Sequence, residues 1–542
     1  MLYTLAPEAT RFTAISKPPK PWRAVGGSLL SLALPCASGV LLAFPFLRSG
    51  PTWPLLIGLV PWGIALRRTH AVPELYFGTI LGGLVFHLAA TDSLRTIDGG
   101  EALGGPHVVT WLMTGLFGAC AWCLGLGIGR RLFLASRLPM TLALPIFWVA
   151  LEFTRRQIPE LLFNAPYPWL QLGLPVADYP VLLQSADIAG VWGLSALVAV
   201  ANGFVHDIAL EVGGVIRGQG KRLRACVLAV GGLCIALTVW SYGTWRRQQP
   251  LGERGPVVCL LPFWSQANAS LAMELARTEM PKCDLLLWPE CALQQPILAE
   301  QVDQRAGPVA VMNACSTRAN AWLMVGCDRI DARGKWRSTA VVAPDGRRCG
   351  FYDKMALVPW SEFTPRLQMN GLLPESAGYQ RGDSYVVCEI TSADERWQVA
   401  PKICYDLCFP ELFRRTIWLA NHRSVDLFAV SSSEMSDRSG GVARSMLQMA
   451  RCRAVECRRP IVRNVFEGYS GYVDSLGRFY PASSGMKLEQ PLPISAIRLD
   501  HRRTLYIAFG DWLPIACLAL VAAIACQRWW PSYRAQVLTR AC

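Results

Sequence analysis

Charged residues are scarce in this sequence. Only 17% of its 542 residues are Asp, Glu, Lys or Arg, whereas about a quarter is usual for a soluble globular protein. The deficit excludes a chain that is soluble throughout and indicates that part of it lies in lipid. Acidic residues are the scarcer kind, so the formal net charge is +14. A basic balance is typical both of nucleic-acid-binding proteins and of membrane proteins with basic cytoplasmic loops, so the position of the charges must decide between them.

Paired cysteine motifs with the spacing of zinc sites are absent. The 19 cysteines are scattered, and the lone CxxC, Cys120 and Cys123, lies in an apolar helix, where we interpret both residues as packing residues. Eleven cysteines lie between residues 259 and 457, and an odd number cannot all pair within one chain. We therefore expect no metal and no cofactor, and at least one thiol that is free or pairs between chains.

Long apolar runs are present at both ends of the chain. Seven candidate membrane spans lie near 24–46, 52–66, 75–92, 108–129, 139–154, 187–210 and 223–243, and an eighth lies at 505–526. Most approach the roughly 20 residues that cross about 30 Å of hydrocarbon, although 52–66 and 139–154 are short. The pattern predicts a tail (1–23), a seven-span membrane domain (24–246), a soluble domain (250–500), a last span (505–526) and a second tail (527–542).

The basic residues predict the orientation of these spans. If the N-terminus is cytoplasmic, the inside segments hold 16 Lys and Arg residues and the short outside loops hold 4. This bias has the sense expected of membrane proteins, with basic residues inside. It places residues 250–500 outside the cytoplasm and explains the basic excess without nucleic acid. No cleavage site follows the first span, so we expect it to be a retained anchor.

The soluble segment alternates strand-like and helix-like runs. Strands are predicted at 256–263, 283–290, 321–328, 339–346, 400–406, 425–432 and 459–466, helices at 270–278, 293–304 and 441–457, and hairpin turns at Asp345-Gly346 and Leu476-Gly477. Alternation of this kind is typical of an α/β layered fold.

Three reactive residue types follow predicted strands. Glu290 ends LLLWPE, Lys354 follows CGFYD, and Cys404 ends PKIC. Functional groups gather at the carboxyl ends of strands in α/β sheets, so the fold could bring these three together. A thiolate, a carboxylate base and an ammonium that stabilises an oxyanion together suit acyl transfer. Taken singly, however, a strand cysteine is usually a small buried hydrophobe, and a lone Glu or Lys is usually solvated.

The sequence segments around these residues resemble those of a known family. LLLWPE, YDKMALVPWSEFTP and KICYDLCFPELFR are similar to the three signatures of the nitrilase superfamily. The nearer resemblance is to the apolipoprotein N-acyltransferases of bacterial inner membranes, and it extends to LAFPFLRSGPTWPLL, LPIFWVALEFTRR, APYPWLQLG, GVWGLSALVAVAN and TLYIAFGDW. The resemblance implies a multi-pass α-helical membrane domain of about eight spans joined to a nitrilase-like αββα sandwich, with the catalytic domain in the periplasm.

Carried over residue by residue, the resemblance implies a Glu-Lys-Cys triad. Glu290 would be the general base, Lys354 the oxyanion stabiliser, Cys404 the nucleophile and Glu362 a second essential carboxylate. The family's reaction moves an acyl chain from a phospholipid to the cysteine as a thioester, and then to the N-terminal amine of a diacylglyceryl-cysteine lipoprotein. The implied partners are therefore a phospholipid donor, a lipoprotein acceptor and the membrane, and we expect a monomer.

Three further residues are candidates for substrate binding. Tyr405 and Asp406 directly follow the nucleophile, and Trp360 lies in the segment after Lys354. The family usually has Glu where Asp406 stands, so the charge is kept and the reach is shorter. The loop 355–385 and the stretch 433–441 are rich in Gly, Pro and Ser. Apolar residues of the loop could form a lid that dips into lipid: Met355, Leu357, Trp360, Phe363, Leu367 and Met369. The alternative is an ordinary packed loop.

Two segments depart from the family pattern. SSEMSDRSGG (432–441) stands where the family has Asn-Asp-Ala-Trp-Phe-Gly, and NVFEGYSG (464–471) replaces its Thr-Asn-Asn-Gly region. The acceptor could therefore differ, as in conjugal-transfer relatives. The alternatives are a membrane-bound nitrilase-like amidase or acyltransferase with another acceptor, and a non-enzymatic envelope component that keeps the fold as a scaffold.

Overall fold

The computed structural model describes residues 21–47, 49–67, 72–92, 106–136, 138–218, 222–262, 279–293, 295–298, 307–366, 376–393, 395–419, 425–434 and 441–540. The predicted helix 270–278 and the candidate lid residues Leu367 and Met369 lie outside these ranges, as do most of the tail 1–23 and of the stretch 433–441.

The first half of the described chain is helical. Its helices are α1 (Pro21–Ala43), α2 (Val60–Leu66), α3 (Val72–Ala90), α4 (Pro106–Ser136), α5 (Met140–Phe163), α6 (Pro180–Leu183), α7 (Ala186–Ile216) and α8 (Arg222–Gln248). Within the described ranges, α1 with its extension to Phe46, α3, α4, α7 and α8 provide five segments that are long and apolar enough to cross a membrane. These helices are compatible with the predicted membrane domain.

Two predicted spans are shorter or more broken than the sequence indicated. Residues 52–66 form a short 3-10 helix, Trp53–Leu56, followed by α2, so this apolar run is two short helices instead of one continuous helix. The run 505–526 is interrupted: α12 (Leu505–Phe509) ends at Gly510, whose φ is +60°, and α13 (Trp512–Arg540) begins after it. A left-handed residue of this kind ends a helix, so the apolar part of the last helix begins at Trp512.

Helix α5 is long but carries charge. Glu152, Arg155 and Arg156 are all buried on it. The Arg156 guanidinium donates to Glu411 in the second half of the chain, and Arg155 donates to the carbonyls of Trp169 and Leu170, both at 2.9 Å. Charged groups at membrane depth are stable when the protein pairs them internally. The charged residues of α5 therefore connect this helix to other parts of the protein.

The second half contains two β-sheets. The first sheet consists of β1 (Val258–Leu260), β2 (Leu285–Leu287), β3 (Ile297–Leu298), β4 (Trp322–Asp331), β5 (Gly334–Val342), β6 (Arg348–Asp353) and β13 (Leu492–Ile494), in the order β13-β1-β2-β4-β5-β6 with β3 beside β4. The second consists of β7 (Cys388–Ser392), β8 (Glu395–Ile403), β9 (Leu427–Ser433), β10 (Ile461–Phe466), β11 (Gly471–Val473) and β12 (Phe479–Pro481), in the order β12-β11-β10-β9-β8-β7. Strands β1, β2 and β4 are parallel in one sheet, and β8, β9 and β10 are parallel in the other.

The sheets pack face to face, with helices outside. Alternate residues such as Val258 and Leu260 point between the sheets and meet Val399 and Leu427 of the other sheet. The outer face of the first sheet packs on α9 (Gly307–Ala319). The outer face of the second packs on α10 (Pro410–Leu419) and α11 (Gly441–Cys457). Period-two alternation with both faces covered produces the predicted αββα sandwich.

Most of the predicted elements are confirmed. All seven predicted strands, helix 441–457 and both hairpin turns are present, with positive φ at Gly346 and Gly477. The helix predicted at 293–304 is wrong in its described part, because β3 occupies 297–298 and pairs with β4. Isoleucine and leucine fit either structure in so short a run, and pairing with β4 decided it.

Helix α11 joins the sandwich to the membrane helices. Arg458, directly after α11, donates to Asp187 of α7 at 2.6 Å. The Asp187 carboxylate also accepts from the Tyr242 hydroxyl of α8 at 2.7 Å and lies 3.0 Å from Arg246 Nε. Farther along, Asp178 accepts from Arg444 at 2.9 Å and from Arg451 at 3.1 Å. The sandwich is therefore attached to the bundle by charged hydrogen bonds along one helix.

Candidate active site

The two sheets bring three strand ends together. Glu290 follows β2, Lys354 directly follows β6, and Cys404 directly follows β8. The amide nitrogen of Asn464 on β10 donates to the carbonyls of Leu261 and Leu287, at 2.7 and 2.6 Å. These hydrogen bonds fix the second sheet against the end of β2, next to the strands that carry the other two residues.

Lys354 lies between two carboxylates. Its ammonium is 3.0 Å from Glu290 Oε1 and 2.8 Å from Glu362 Oε1, and the side chain is only 1% exposed. The second oxygen of Glu362 accepts from the Val358 amide at 2.8 Å. The second oxygen of Glu290 accepts from the Ser433 amide at 3.1 Å. Both carboxylates are therefore held on each side, and the ammonium cannot move without breaking an ion pair.

The charges in this cluster determine its ionisation. Burial would raise the pKa of Glu290, but the positive charges of Lys354 and Arg337 outweigh it and hold that pKa below its ordinary value. Burial would lower the pKa of Lys354, yet Glu290 and Glu362 hold it well above its ordinary value. At neutral pH the site therefore contains an ionised base and an ammonium, which are the states that acyl transfer needs.

The Cys404 sulfur lies beside this cluster. Its Sγ is 3.7 Å from the Ser433 carbonyl oxygen, and a hydrogen bond with Cys404 helps to hold the pKa of Glu290 down. Burial and the negative charge of Glu290 raise the pKa of the Cys404 thiol well above its ordinary value. In this state the sulfur keeps its proton, so a base must remove it during attack. The backbone of Cys404 is left-handed, with φ of +43°, which turns the chain sharply at the end of β8.

The Asp406 carboxylate is held by hydrogen bonds from other groups of the protein. Its carboxylate accepts from the Tyr352 hydroxyl at 2.8 Å and from the amides of Ile403 and Ala356, both at 2.9 Å. These groups connect the turn that carries Cys404 to the segment after Lys354. Asp406 is fully buried, so this geometry offers positioning of the two strand ends rather than direct contact with substrate.

The other two candidate binding residues differ in their surroundings. Tyr405 is buried, and its ring lies 5.9 Å from Trp169 of the membrane half and 5.3 Å from Phe409. Trp360 is half-buried with φ of +59°, and its amide donates to the Phe363 carbonyl. Tyr405 therefore lies where the sandwich meets the helices, while Trp360 lies in the loop above Glu362.

The candidate lid is packed in its described part. Leu357 and Phe363 are buried with Tyr379 in a small cluster, so these two residues are not exposed apolar side chains as expected. The Arg366 amide donates to the Phe163 carbonyl at the end of α5, and Arg381 pairs with Glu160 at 3.3 Å. The loop thus contacts the membrane half at its margin.

Several site residues escaped the sequence analysis. Arg337 on β5 lies 4.0 Å from Glu362, 3.3 Å from Asp328, and donates to the Tyr379 hydroxyl at 2.7 Å. Ser433 contacts both Glu290 and Cys404 through its backbone alone. Arg337 lies in the polar half of β5, GKWRST, where an arginine gives no distinct signal, and a backbone contact leaves none in the sequence.

Known proteins are similar to both halves of this chain. Residues 38–204 match the model of the apolipoprotein N-acyltransferase N-terminal domain, and residues 262–477 match the carbon-nitrogen hydrolase model. An apolipoprotein N-acyltransferase of Geobacter metallireducens is 26% identical over 91% of this chain and 94% of its own length. One from Pseudomonas aeruginosa gives the same identity and coverage. The chain belongs to the apolipoprotein N-acyltransferase family.

Solved structures resemble the sandwich part of this apolipoprotein N-acyltransferase family member. A CN-hydrolase superfamily protein of Xanthomonas campestris is 20% identical, covering 45% of this chain and 91% of its own, with a TM-score of 0.34. A nitrilase-superfamily protein of Saccharomyces cerevisiae is 16% identical, covering 46% and 93%, also with a TM-score of 0.34. The family and the apolar helices indicate an acyltransferase of the carbon-nitrogen hydrolase superfamily in a bacterial inner membrane.

Proposed function

We propose that this protein transfers an acyl chain from a phospholipid to the N-terminal amine of a diacylglyceryl-cysteine lipoprotein, through a thioester on Cys404. The observation that carries the proposal is the ammonium of Lys354 between Glu290 and Glu362, beside the Cys404 thiol. The lipoprotein names of the relatives support the acceptor, and the apolar helices support a lipid donor.

In the first half-reaction Glu290 takes the thiol proton while the sulfur attacks the ester carbonyl of the lipid. Lys354 stabilises the oxyanion that forms. Collapse of the tetrahedral intermediate breaks the ester C–O bond, and the Glu290 proton passes to the leaving alcohol of the lysolipid. In the second half-reaction Glu290 accepts a proton from the attacking amine, the C–S bond breaks, and the thiol is restored.

Glu362 and its neighbours would serve this cycle by positioning. Glu362 keeps Lys354 charged and in place, and Arg337 fixes Glu362 from the other side. Tyr405, whose ring lies beside Trp169 of the membrane half, and Trp360, in the loop that carries Glu362, would contact the acyl chains. Asp406 would hold the nucleophile turn.

The topology is part of the proposal. The N-terminal tail would be cytoplasmic, seven spans would precede the catalytic domain, and residues 250–500 would face the periplasm before the eighth span returns the chain. The protein would act as a monomer.

A buried charged pair near the triad favours a second candidate acceptor. Glu434, in the divergent segment 432–441, pairs with Arg463 at 2.5 Å, and both side chains are buried. This charged pair lies next to Ser433, which contacts the triad. A different amine could therefore be the acceptor, which would make the protein a membrane-bound nitrilase-like amidase or acyltransferase, such as a conjugal-transfer relative.

The test uses purified protein in mixed micelles with a phospholipid labelled in its acyl chain. Label should appear on the protein as a hydroxylamine-sensitive thioester and then on an added diacylated lipopeptide. The Cys404→Ala variant should show neither. Label that reaches only water as free fatty acid would favour hydrolysis, and label that reaches another amine but not the lipopeptide would favour the second candidate.

A further inference from the structure

An apolar cavity lies within the membrane half, away from the triad. Its volume is about 630 Å³, and it lies between α7, α8 and the short helix Trp53–Leu56. Its lining comes from residues between 52 and 240, whereas every proposed catalytic residue follows residue 250. The cavity is therefore a space of the helix bundle and is distinct from the catalytic site.

Two glycines bracket this space along α8. A side chain at Gly243 would collide with the Val181 carbonyl, and one at Gly232 would collide with the Phe204 ring. At these two positions α8 lies directly against the bundle. Between them, Ile235, Ala236, Val239 and Trp240 face the cavity, so the gap is bounded by two close contacts.

Helix α8 exposes apolar side chains on its surface. Leu223, Val227, Leu233 and Leu237 are each more than half exposed, and the 18-residue apolar window of the helix has no buried residue. A helix that is apolar on every side belongs in lipid. Any opening between α8 and α7 in this window therefore faces hydrocarbon tails instead of water.

The rim of the cavity carries amphipathic groups. Thr52 and Tyr179 share a hydrogen bond between their hydroxyls, and Trp53 and Trp240 are 57% and 59% exposed. Tyr and Trp are typical of the level where acyl chains meet head groups, because their rings are apolar and their tips polar. One end of the cavity thus matches the ester region of a lipid, and its walls match a tail.

We propose that this cavity binds one acyl tail of a bilayer phospholipid as a structural lipid, separate from the acyl donor at the triad. An apolar cavity excludes water and accepts an apolar ligand, and its size falls within the range of ligand pockets. The bound tail fills the space in which α7 and α8 do not contact each other. It thereby supports the end of α8 that brings Tyr242 and Arg246 to Asp187, which Arg458 of the sandwich also contacts.

The experiment counts lipids that remain on the purified protein. Wild-type protein, Ala236→Phe and Ala229→Phe are extracted in maltoside detergent and compared by native mass spectrometry. Ala236 lines the cavity, while Ala229 lies seven residues earlier on α8, exposed and outside the lining. We expect a retained phospholipid on wild type and on Ala229→Phe, and a several-fold loss on Ala236→Phe.

A second measurement locates the lipid. The proteins are placed in nanodiscs of palmitoyl-oleoyl phosphatidylcholine containing an analogue with a diazirine in its acyl chain, and are irradiated. Crosslinks should be enriched on the lining residues 197–204 and 235–240 in wild type and depleted there in Ala236→Phe. Equal lipid retention in all three proteins, labelling spread evenly over α8, or detergent alone in the cavity would each overturn the proposal. None of these readouts requires acyl transfer, so they are independent of the proposed function.

Discussion

Glu290 is the residue whose ionisation should limit the reaction at low pH. Its pKa lies below the ordinary value because Lys354 and Arg337 outweigh burial, so the carboxylate is ionised above that ordinary value and is lost only at lower pH. Thioester formation should therefore stay constant from neutral pH down through about 5 and fall only below the usual glutamate range. Stopped-time labelling across pH measures this limb.

Replacing Glu290 by Gln removes the base but keeps the shape. Thioester formation should fall by about 10²- to 10⁴-fold, which is the usual contribution of general base catalysis. Glu395→Gln, an exposed glutamate at the start of β8, is the control and should react as wild type does. If Glu290→Gln formed the thioester at the wild-type rate, another group would have to be the base.

Lys402 should lower stability at neutral pH. It is fully buried, and its ammonium has no hydrogen-bond partner among the described residues; it lies 4.5 Å from the Tyr352 ring centre. Burial lowers its pKa to about 8, although Asp406 opposes the shift. Because the unfolded chain binds the proton more tightly, the destabilisation is complete below about pH 8 and fades as pH rises towards the ordinary lysine pKa.

The variant Lys402→Met should therefore unfold at a higher temperature than wild type. The gain should be on the order of 1 kcal/mol or more at pH 7 and should shrink at pH 9 to 10, which scanning fluorimetry at several pH values can measure. Lys487→Met, at an exposed lysine, should show neither the gain nor its pH dependence. If the stability gain of Lys402→Met stayed constant across this pH range, the buried charge of Lys402 would not be the cause of the destabilisation.

At the scale of elements, Asp187 connects three helices. It accepts from Arg458 after α11 and from Tyr242 of α8, while itself lying at the start of α7. Removing one partner of a buried ion pair leaves the other charged and unpaired, which costs about 3 to 5 kcal/mol. Asp187→Ala should accordingly lower the unfolding temperature markedly and increase proteolysis between α8 and β1.

A matched surface pair provides the comparison. Lys487 lies 2.7 Å from Glu467 but is 69% exposed, and exposed pairs contribute about 0 to 1 kcal/mol. Lys487→Ala should leave the unfolding temperature and the proteolysis pattern unchanged. Equal effects of the two substitutions would mean that Asp187 does not hold the helices together.

Element identity followed from sequence where an apolar or periodic run was long. The strands around Val399 and Leu427 lie in buried apolar runs, and helix 441–457 was placed at its observed bounds. The failures were short or interrupted runs: β3 was expected to be helical, and α12 was joined to α13 across Gly510. In such runs local preference is weak, and strand pairing or a single left-handed residue decides the outcome.

For the whole molecule, the orientation in the membrane can be tested with a native thiol. Cys349 is exposed in the sandwich, and the proposed topology places it in the periplasm. A membrane-impermeant maleimide should therefore label it in intact spheroplasts, and Cys349→Ser should remove that label. A cysteine placed at Arg217, between α7 and α8, should react only after the membrane is opened. The opposite pattern would reverse the topology.

The sequence alone determined the family, the alternation of apolar spans with an α/β domain, and the identity of Glu290, Lys354, Glu362 and Cys404 as the candidate site. Those features follow from short sequence motifs and from hydrophobic periodicity, which can be recognised without knowing which distant residues are in contact. The tertiary structure alone decided that Lys354 lies between two carboxylates, that Asp406 and Lys402 are buried beneath the site, and that Leu357 and Phe363 pack inward. Each of these depends on how the strands, loops and helices pack, because side chains from separate segments become neighbours only when that packing forms.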